Sequence, residues 1–340
     1  MESGRWGTRA RRLQRRGLAL GASLAVLGFL LAACSSSPGA TGSRVSGTAD
    51  VAYAGSLQLL NEKVIGPAFS KRTGYGYEGR GGGSFGVAQE IVSGEISPNV
   101  FESIGAAPIG LLEPKFTSWY VQVASSPIVV AYNPGSPFAS KLKAIAKGKR
   151  PLSQLFALME QPGFHLGRTN PNTDPQGQAF YEMVELSQSL YHLPKDTAAK
   201  VLGSLDNASQ VFAETALEAR LQSGQLDAAS AFQSQAIQLH LPYVSLPSVV
   251  DFGNPSLAPS YARATLTLSG GKVVHGVPLV VDVTVLGKKD RAAAAAFISY
   301  LLSSKGRTAL AHGGYSLVTP KLFGAASAAP TVIGHALASA

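Results

Sequence analysis

The chain has 340 residues, 45% hydrophobic and only 14% charged, which excludes a disordered chain and leaves room for about two domains. Its formal charge is +9, but residues 1–33 carry +5 of it through six arginines against Glu2, leaving +4 on the other 307 residues. That balance gives no support to a nucleic-acid binder, and a single cysteine excludes an internal disulfide framework or a Cys-rich zinc site.

In chain order, residues 1–33 read as an export signal. Arginines at 5, 9, 11, 12, 15 and 16 precede an uncharged run, Leu18 to Ala33. Its 16 residues fall short of the ~20 needed to span a bilayer, and a basic segment before a short apolar one is a secretory signal. The pairs Arg11-Arg12 and Arg15-Arg16 lack the residues that surround a twin-arginine signal. The run ends in Leu31-Ala32-Ala33-Cys34, which looks like a bacterial lipobox and predicts lipidation at Cys34. Residues 34–50, rich in Ser, Gly and Thr without an apolar period, read as a flexible tether. A lipid anchor, a tether and a soluble body predict an extracytoplasmic protein held at the bacterial cell membrane.

The body alternates between strand and helix patterns. Strands are predicted at 51–53, 119–125, 128–132, 164–167, 226–232, 262–268 and 277–286. Helices are predicted from Leu57 to about Thr73, and over 84–93, 176–190, 214–223, 290–302 and 305–312. The alternation predicts an α/β architecture, with a boundary near Asn133-Pro134-Gly135.

Three segments carry chemistry. Ala54-Gly55-Ser56 joins the first strand to the first helix; Ser56 can cap that helix, and the free amides of a helix start attract anions. Arg80-Gly81-Gly82-Gly83-Ser84-Phe85-Gly86 admits a dinucleotide fingerprint, a nucleophile elbow around Ser84, a second amide-lined helix start, or a plain loop. The first two require an apolar strand, and Tyr75-Gly76-Tyr77-Glu78-Gly79-Arg80 does not read as one. Asp174 before Pro175 fits a helix cap. It is either that alone or a carboxylate at the mouth of a cleft. The histidines at 165, 192, 240, 275, 312 and 335 share no metal-ligand spacing and read as incidental.

Taken together, the lipobox, Ala54-Gly55-Ser56-Leu57, Gly82-Gly83-Ser84, Trp119-Tyr120, Val129 to Tyr132, Gly167 to Pro175 and Ser223 to Asp227 occur in one order. That order resembles the tungstate/molybdate substrate-binding proteins of ABC importers, from about Val51 to Pro320. The Asn170-Pro171-Asn172-x-Asp174-Pro175 segment is the most specific part. The resemblance implies a two-lobed periplasmic-binding-protein type II fold, each lobe a mixed sheet flanked by helices, with a two-strand hinge at Ile128–Tyr132 and Leu279–Val283. Lobe one would be 51–130 plus 280–323, lobe two 131–279, and 324–340 a C-terminal tail.

The resemblance also implies the site. Gly55, Ser56, Gly83 and Ser84 would bind the anion from lobe one. Asp174, from lobe two, would match the family's aspartate, a metal ligand only in the sense of contacting the metal of the bound oxyanion. The family's usual glutamate, in a Phe-Glu-Tyr-x-Ser pattern, is replaced by Ala231, so simple tetrahedral binding is expected. The implied activity is binding without catalysis or cofactor, as a monomer. The implied partners are molybdate or tungstate, a permease with its ATPase, and the membrane through Cys34; no nucleic acid is implied. The alternatives are a secreted serine hydrolase using Ser84, or a binding protein for sulfate or an organic solute.

Overall fold

The structure is a computed structural model that describes residues 46–340. The signal, Cys34 and most of the tether lie outside the described residues. Among the described residues no helix is long and apolar enough to cross a membrane.

The chain enters through β1 (Thr48–Ala54), whose first residues fall inside the predicted tether. A backbone bond from the Gly76 N–H to the Gly47 oxygen, 2.9 Å, draws even residue 47 into the body. A helical stretch over 55–73 leads to β2 (Gly76–Gly82), then a helix at Ser84–Ser93, β3 (Val100–Ile104) and β4 (Trp119–Ser125). After β4 the chain passes to a second sheet containing β5 (Ile128–Tyr132), β6 (Leu166–Gly167), β7 (Ala228–Phe232) and β8 (Tyr243–Val244). A separate hairpin, β9 (Thr265–Thr267) with β10 (Val273–His275), precedes the return to the first sheet through β11 (Val280–Val285) and β12 (Ser316–Gly324). The predicted strand at 262–268 is thus confined to β9, because Ala258–Tyr261 forms a helical turn.

The first sheet has the order β12-β4-β11-β3-β1-β2, the second β6-β7-β5-β8. Both are mixed: β1 pairs in parallel with β2 and β3, whereas β11 is antiparallel to β3 and β4. In the second sheet β6 and β7 are parallel, and β5 is antiparallel to β7 and β8. β3, β5, β7 and β11 are buried along their whole length, as strands covered by helices on both faces must be. This is the two-lobed α/β arrangement expected.

Two expectations are corrected, and the tail, left open by the sequence, is settled. The segment Ile128–Tyr132 does not cross between lobes. Ile128 already pairs with Phe232 in the second sheet. The crossing is Ser126-Pro127, because proline has no N–H to continue a ladder. The first lobe boundary therefore lies near 127 rather than 130. The C-terminal tail at 324–340 is packed on the body. The helix Thr331–Ala338 packs on the helix Arg291–Leu302, and Ile333 is fully buried. Finally, Gly76–Gly82 is a strand despite its polar, glycine-rich sequence. It is an exposed edge held by seven residue pairs to β1 instead of by an apolar face. Gly79 and Gly81 lie under the Tyr53 ring, where an added Cβ would come within 2.8 Å of it.

The body also buries carboxyl groups away from any cation. Glu182, on the helix Pro175–Leu190, is 3% exposed, and its Oε1 has no hydrogen-bond partner. Burial, aided by nearby Glu185, pushes its pKa up to about 8. A raised carboxyl is protonated in the native state where the unfolded chain would already be ionised. Its contribution to stability is complete in acid and is lost as pH rises through 8. Glu182→Gln should therefore raise the melting temperature by several degrees at pH 9 and leave it unchanged at pH 4. Thermal unfolding at the two pH values checks this; an equal shift at both would show that charge is not the cause.

Candidate functional site

The two lobes meet at the ends of β1, β2, β6 and β7. Lobe one contributes two turns. At the end of β1, Gly55, Ser56 and Leu57 form a buried 3-10 turn. Ser56 is not the cap expected of it. Ala54 occupies the cap position, and Ser56 lies inside the turn with a buried Oγ that has no hydrogen-bond partner. The Ser56 carbonyl accepts from the buried Tyr315 hydroxyl at 3.0 Å, which fixes the turn from behind. At the end of β2, Gly83 is the cap of the helix Ser84–Ser93 and Ser84 its first residue. The Ser84 Oγ accepts from the Ile104 N–H at 3.1 Å. The first amides of a helix have no partner within it. One of them, the Gly86 N–H, donates across the seam to the Thr173 carbonyl at 3.1 Å. Gly83 is required here: a Cβ would lie 2.7 Å from that carbonyl and 3.2 Å from the Asp174 Oδ2.

Lobe two answers with oxygen acceptors. Its loop from Arg168 to Asp174 follows β6. The Arg168 guanidinium is fully buried and donates to the carbonyls of Leu202, Ser204 and Leu205 at 3.2, 2.7 and 3.1 Å, while lying over the Tyr181 ring. Those carbonyls belong to the last residue of the helix Thr197–Leu202 and to the residues just after it, where the helix end favours a cation. The loop ends at Asp174, which caps the helix Pro175–Leu190 by accepting from the Gln176 N–H at 2.8 Å. Burial raises its pKa to about 6, against the opposing effect of the Gln176 N–H and the Thr169 hydroxyl.

The structure brings Gly83 onto Asp174 and Gly55 onto a residue the sequence reading missed, Glu214. An added Cβ on Gly55 would lie 2.2 Å from the Glu214 Oε2. Glu214 opens the helix Glu214–Gln222. Its Oε1 accepts from the Gln235 amide at 2.8 Å and the Gln176 amide at 3.4 Å. The Gln176 amide also donates to the Gln235 Oε1 at 3.0 Å, and its own Oε1 accepts from the Ser230 hydroxyl at 2.7 Å. The second Gln235 contact is to the Glu218 carboxyl. Burial raises Glu214 well above the carboxylate range, with Asp174 and Glu218 adding to the rise; Gln235 and the Ser56 N–H oppose it. Burial alone takes Glu218 up to about 7. No sequence motif marks Glu214, Gln176, Ser230 or Gln235. Only the helix starts at Pro175 and Glu214 were legible.

Two cavities flank the Gly55–Glu214 contact. One, of about 360 Å³, is lined by Gly81–Gly83, Thr169, Asn170, Asp174 and Glu214. The other, of about 430 Å³, is lined by Ser56, Gln58, Glu62 and Lys63 of lobe one and by Glu218 and Gln235 of lobe two, among others. Ala231 contributes nothing polar to either. It pairs with Val129 and packs among Leu217, Leu221 and Ala236, whereas neighbouring Ser230 turns to Gln176. The position assigned to the missing glutamate thus belongs to the core in this chain.

A strand does precede Ser84, but it is the polar, exposed edge strand β2 and not the apolar one an elbow needs. The side chain supplies the better objection. The Ser84 hydroxyl is buried on the Ile104 N–H, and none of the six histidines lines either cavity.

Two sheets joined by crossing segments, with polar turns converging between them, define a two-lobed solute-binding protein. The chain belongs to the bacterial extracellular solute-binding proteins, whose family model matches residues 49–316. It is 29% identical over 260 residues to an ABC-transporter molybdenum-binding protein of Haloferax volcanii, covering 76% of this chain and 78% of that one. It is 27% identical over 230 residues to the molybdate/tungstate-binding protein WtpA of Pyrococcus abyssi. That match covers 62% of this chain and 65% of the relative, just under two thirds. The fold is also that of the periplasmic molybdate-binding protein of Azotobacter vinelandii, with a TM-score of 0.50 at 19% identity, over 79% of this chain and 99% of that structure. Membership of a binding family accords with the expectation of no catalysis.

The close approach at Gly83 gives a test of the seam. Gly83→Ala should place its methyl against a backbone carbonyl that cannot turn aside, costing about 1–3 kcal/mol. A fall in the urea midpoint of that size is expected; an unchanged midpoint would show that the lobes do not meet there.

Proposed function

We propose that this protein captures a tetrahedral oxyanion, molybdate or tungstate, between its lobes and delivers it to the permease of an ABC importer. The observation that carries the reading is the convergence of two lobe-one turns on lobe two, Gly83–Ser84 on the Asp174 loop and Gly55–Ser56 on Glu214. A dianion taken from water needs its hydration replaced, and turn amides, hydroxyls and helix starts do this without a mobile cation. The unpartnered hydroxyl of Ser56 is one donor of that kind. The names of the Haloferax and Pyrococcus relatives support the choice of anion. Gly55, Ser56, Gly83, Ser84 and Asp174 remain the assigned contacts, and Ala231 is dropped from them. The Cys34 lipid would hold the body at the membrane near the permease.

Thermal unfolding with molybdate, tungstate, sulfate, phosphate or buffer tests the cargo. A ligand at 100 times its dissociation constant adds roughly 2.7 kcal/mol of stability. A shift with molybdate and tungstate alone is expected, and Ser56→Ala should weaken binding about tenfold. A shift with sulfate or phosphate alone would keep the fold and change the cargo. No shift with any of the four would remove the oxyanion reading. Cys34→Ser should release the expressed protein from the membrane fraction; retention there would sink the anchor.

A further inference from the structure

The end of lobe one opposite the cleft carries the contrary charge. β1 and β3 run in parallel, from Thr48 and Val100 at that end to Ala54 and Ile104 at the cleft. Two cavities flank Lys115 there. One, of about 390 Å³, is lined by Lys115, Lys288, Lys289, Asn99 and Val92, among others. The other, of about 190 Å³, is lined by Lys115 and Arg291, among others. Every charged residue in these two linings is a cation, whereas the cavities between the lobes hold Asp174, Glu214, Glu218 and Glu62 against Lys63. All four cations are exposed, and none forms an ion pair among the described residues. Asp50, Glu95, Glu113 and Asp290 are near them in the fold or the chain but line neither cavity.

The chain enters the body at this same end. The Asn99 amide, in the lining of the larger cavity, donates to the Thr48 carbonyl at 2.7 Å, and the Asp50 N–H donates to the Asn99 Oδ1 at 3.0 Å. The Gly47 α-carbon lies against Asp290, the residue between Lys289 and Arg291; a Cβ there would come within 3.1 Å of the Asp290 Oδ1. Cys34 is 13 residues before Gly47, and a chain of that length reaches at most about 45 Å.

We propose that this end of lobe one docks on the anionic phospholipid headgroups of the membrane that holds the Cys34 lipid. The proposal rests on that anchor. Charge complementarity and the point of chain entry together select the occupant. Lysines and arginines are drawn to an anionic lipid surface within about a Debye length, ~10 Å at 0.1 M salt. Four of them hold a free protein weakly, but a short covalent link keeps the face within reach of the surface, so a weak contact is occupied far more of the time. The orientation also serves the cleft. The seven residues of β1 rise about 20 Å, so the Gly55–Ser56 turn stands beyond the field of the headgroups, which would otherwise repel an arriving anion.

The test is sedimentation of the exported full chain carrying Cys34→Ser with vesicles of phosphatidylglycerol or of phosphatidylcholine, at low and at high salt. The substitution leaves no site for an acyl chain, so binding reports on the face itself. The contact is released by salt and a lipid anchor is not, so the two readings fail separately. Binding to phosphatidylglycerol at low salt is expected, with none at high salt or to phosphatidylcholine. Adding Lys115→Gln, Lys288→Gln and Lys289→Gln should raise the lipid concentration for half-binding at least about tenfold. Lys143→Gln, Lys147→Gln and Lys149→Gln take the same charge from an exposed basic run of lobe two and should change it less than about twofold. All six lysines are exposed, so no substitution disturbs the core. No binding to phosphatidylglycerol at low salt, or an equal loss in the two triple variants, would overturn the proposal.

Discussion

Two carboxyl groups, Asp174 and Glu214, lie buried in the seam between the lobes with no cation bonded to either among the described residues, and the rest of the cleft is arranged around that constraint. A buried carboxylate is tolerated only where donors replace its lost water. The donors come from two directions: the helix start at Gln176 for Asp174, and the side-chain amides of Gln176 and Gln235 for Glu214. Ser230 and the Phe232 N–H then orient the two glutamines from β7. The glycines at 55 and 83 are the other half of the same arrangement. Each is small because an oxygen of the other lobe lies where its side chain would be.

The parts of this design that obey local rules were legible in the sequence. Ser84–Ser93 has an apolar face and a glycine after it, and the helix has those bounds. Asp174-Pro175 announces a capped helix start, and the cap bond is present. The parts set by long-range pairing were not legible. β2 has no apolar period because its partner, β1, supplies the only reason for it to be extended. Ser126-Pro127 looks like any strand break, and nothing local says that the next strand belongs to another sheet. Glu214 sits at the start of a helix whose sequence neighbours point to nothing but a helix. Its contact is with Gly55, over 150 positions away, and no spacing rule connects them.

The same contrast explains why the Ser84 segment admitted so many readings. A glycine-rich strand-to-helix turn is a backbone device for presenting amides, and nucleotide sites, hydrolase elbows and anion cradles all use it. What decides among them is the company it keeps. Here the hydroxyl is turned inward to the Ile104 amide, and the Thr173 carbonyl of the other lobe takes the Gly86 N–H. The turn therefore serves an interface between lobes, and its chemistry is that of holding.

The two crossing segments have a mechanical consequence. Ser126 donates its N–H to the Leu279 carbonyl at 3.2 Å, so both strands that link the lobes pass through one point. Everything beyond that point on each side is sheet and helix with a packed interior. Arg168 extends the stiffness to the cleft itself by fastening the Thr169–Asp174 loop to the carbonyls after the helix Thr197–Leu202. Lobe two is in this sense a solid lever on a narrow pivot. The hydrogen bonds of Arg168 tie the Asp174 loop to the packed body of lobe two. Any movement of lobe two about this pivot therefore carries the whole Asp174 loop with it.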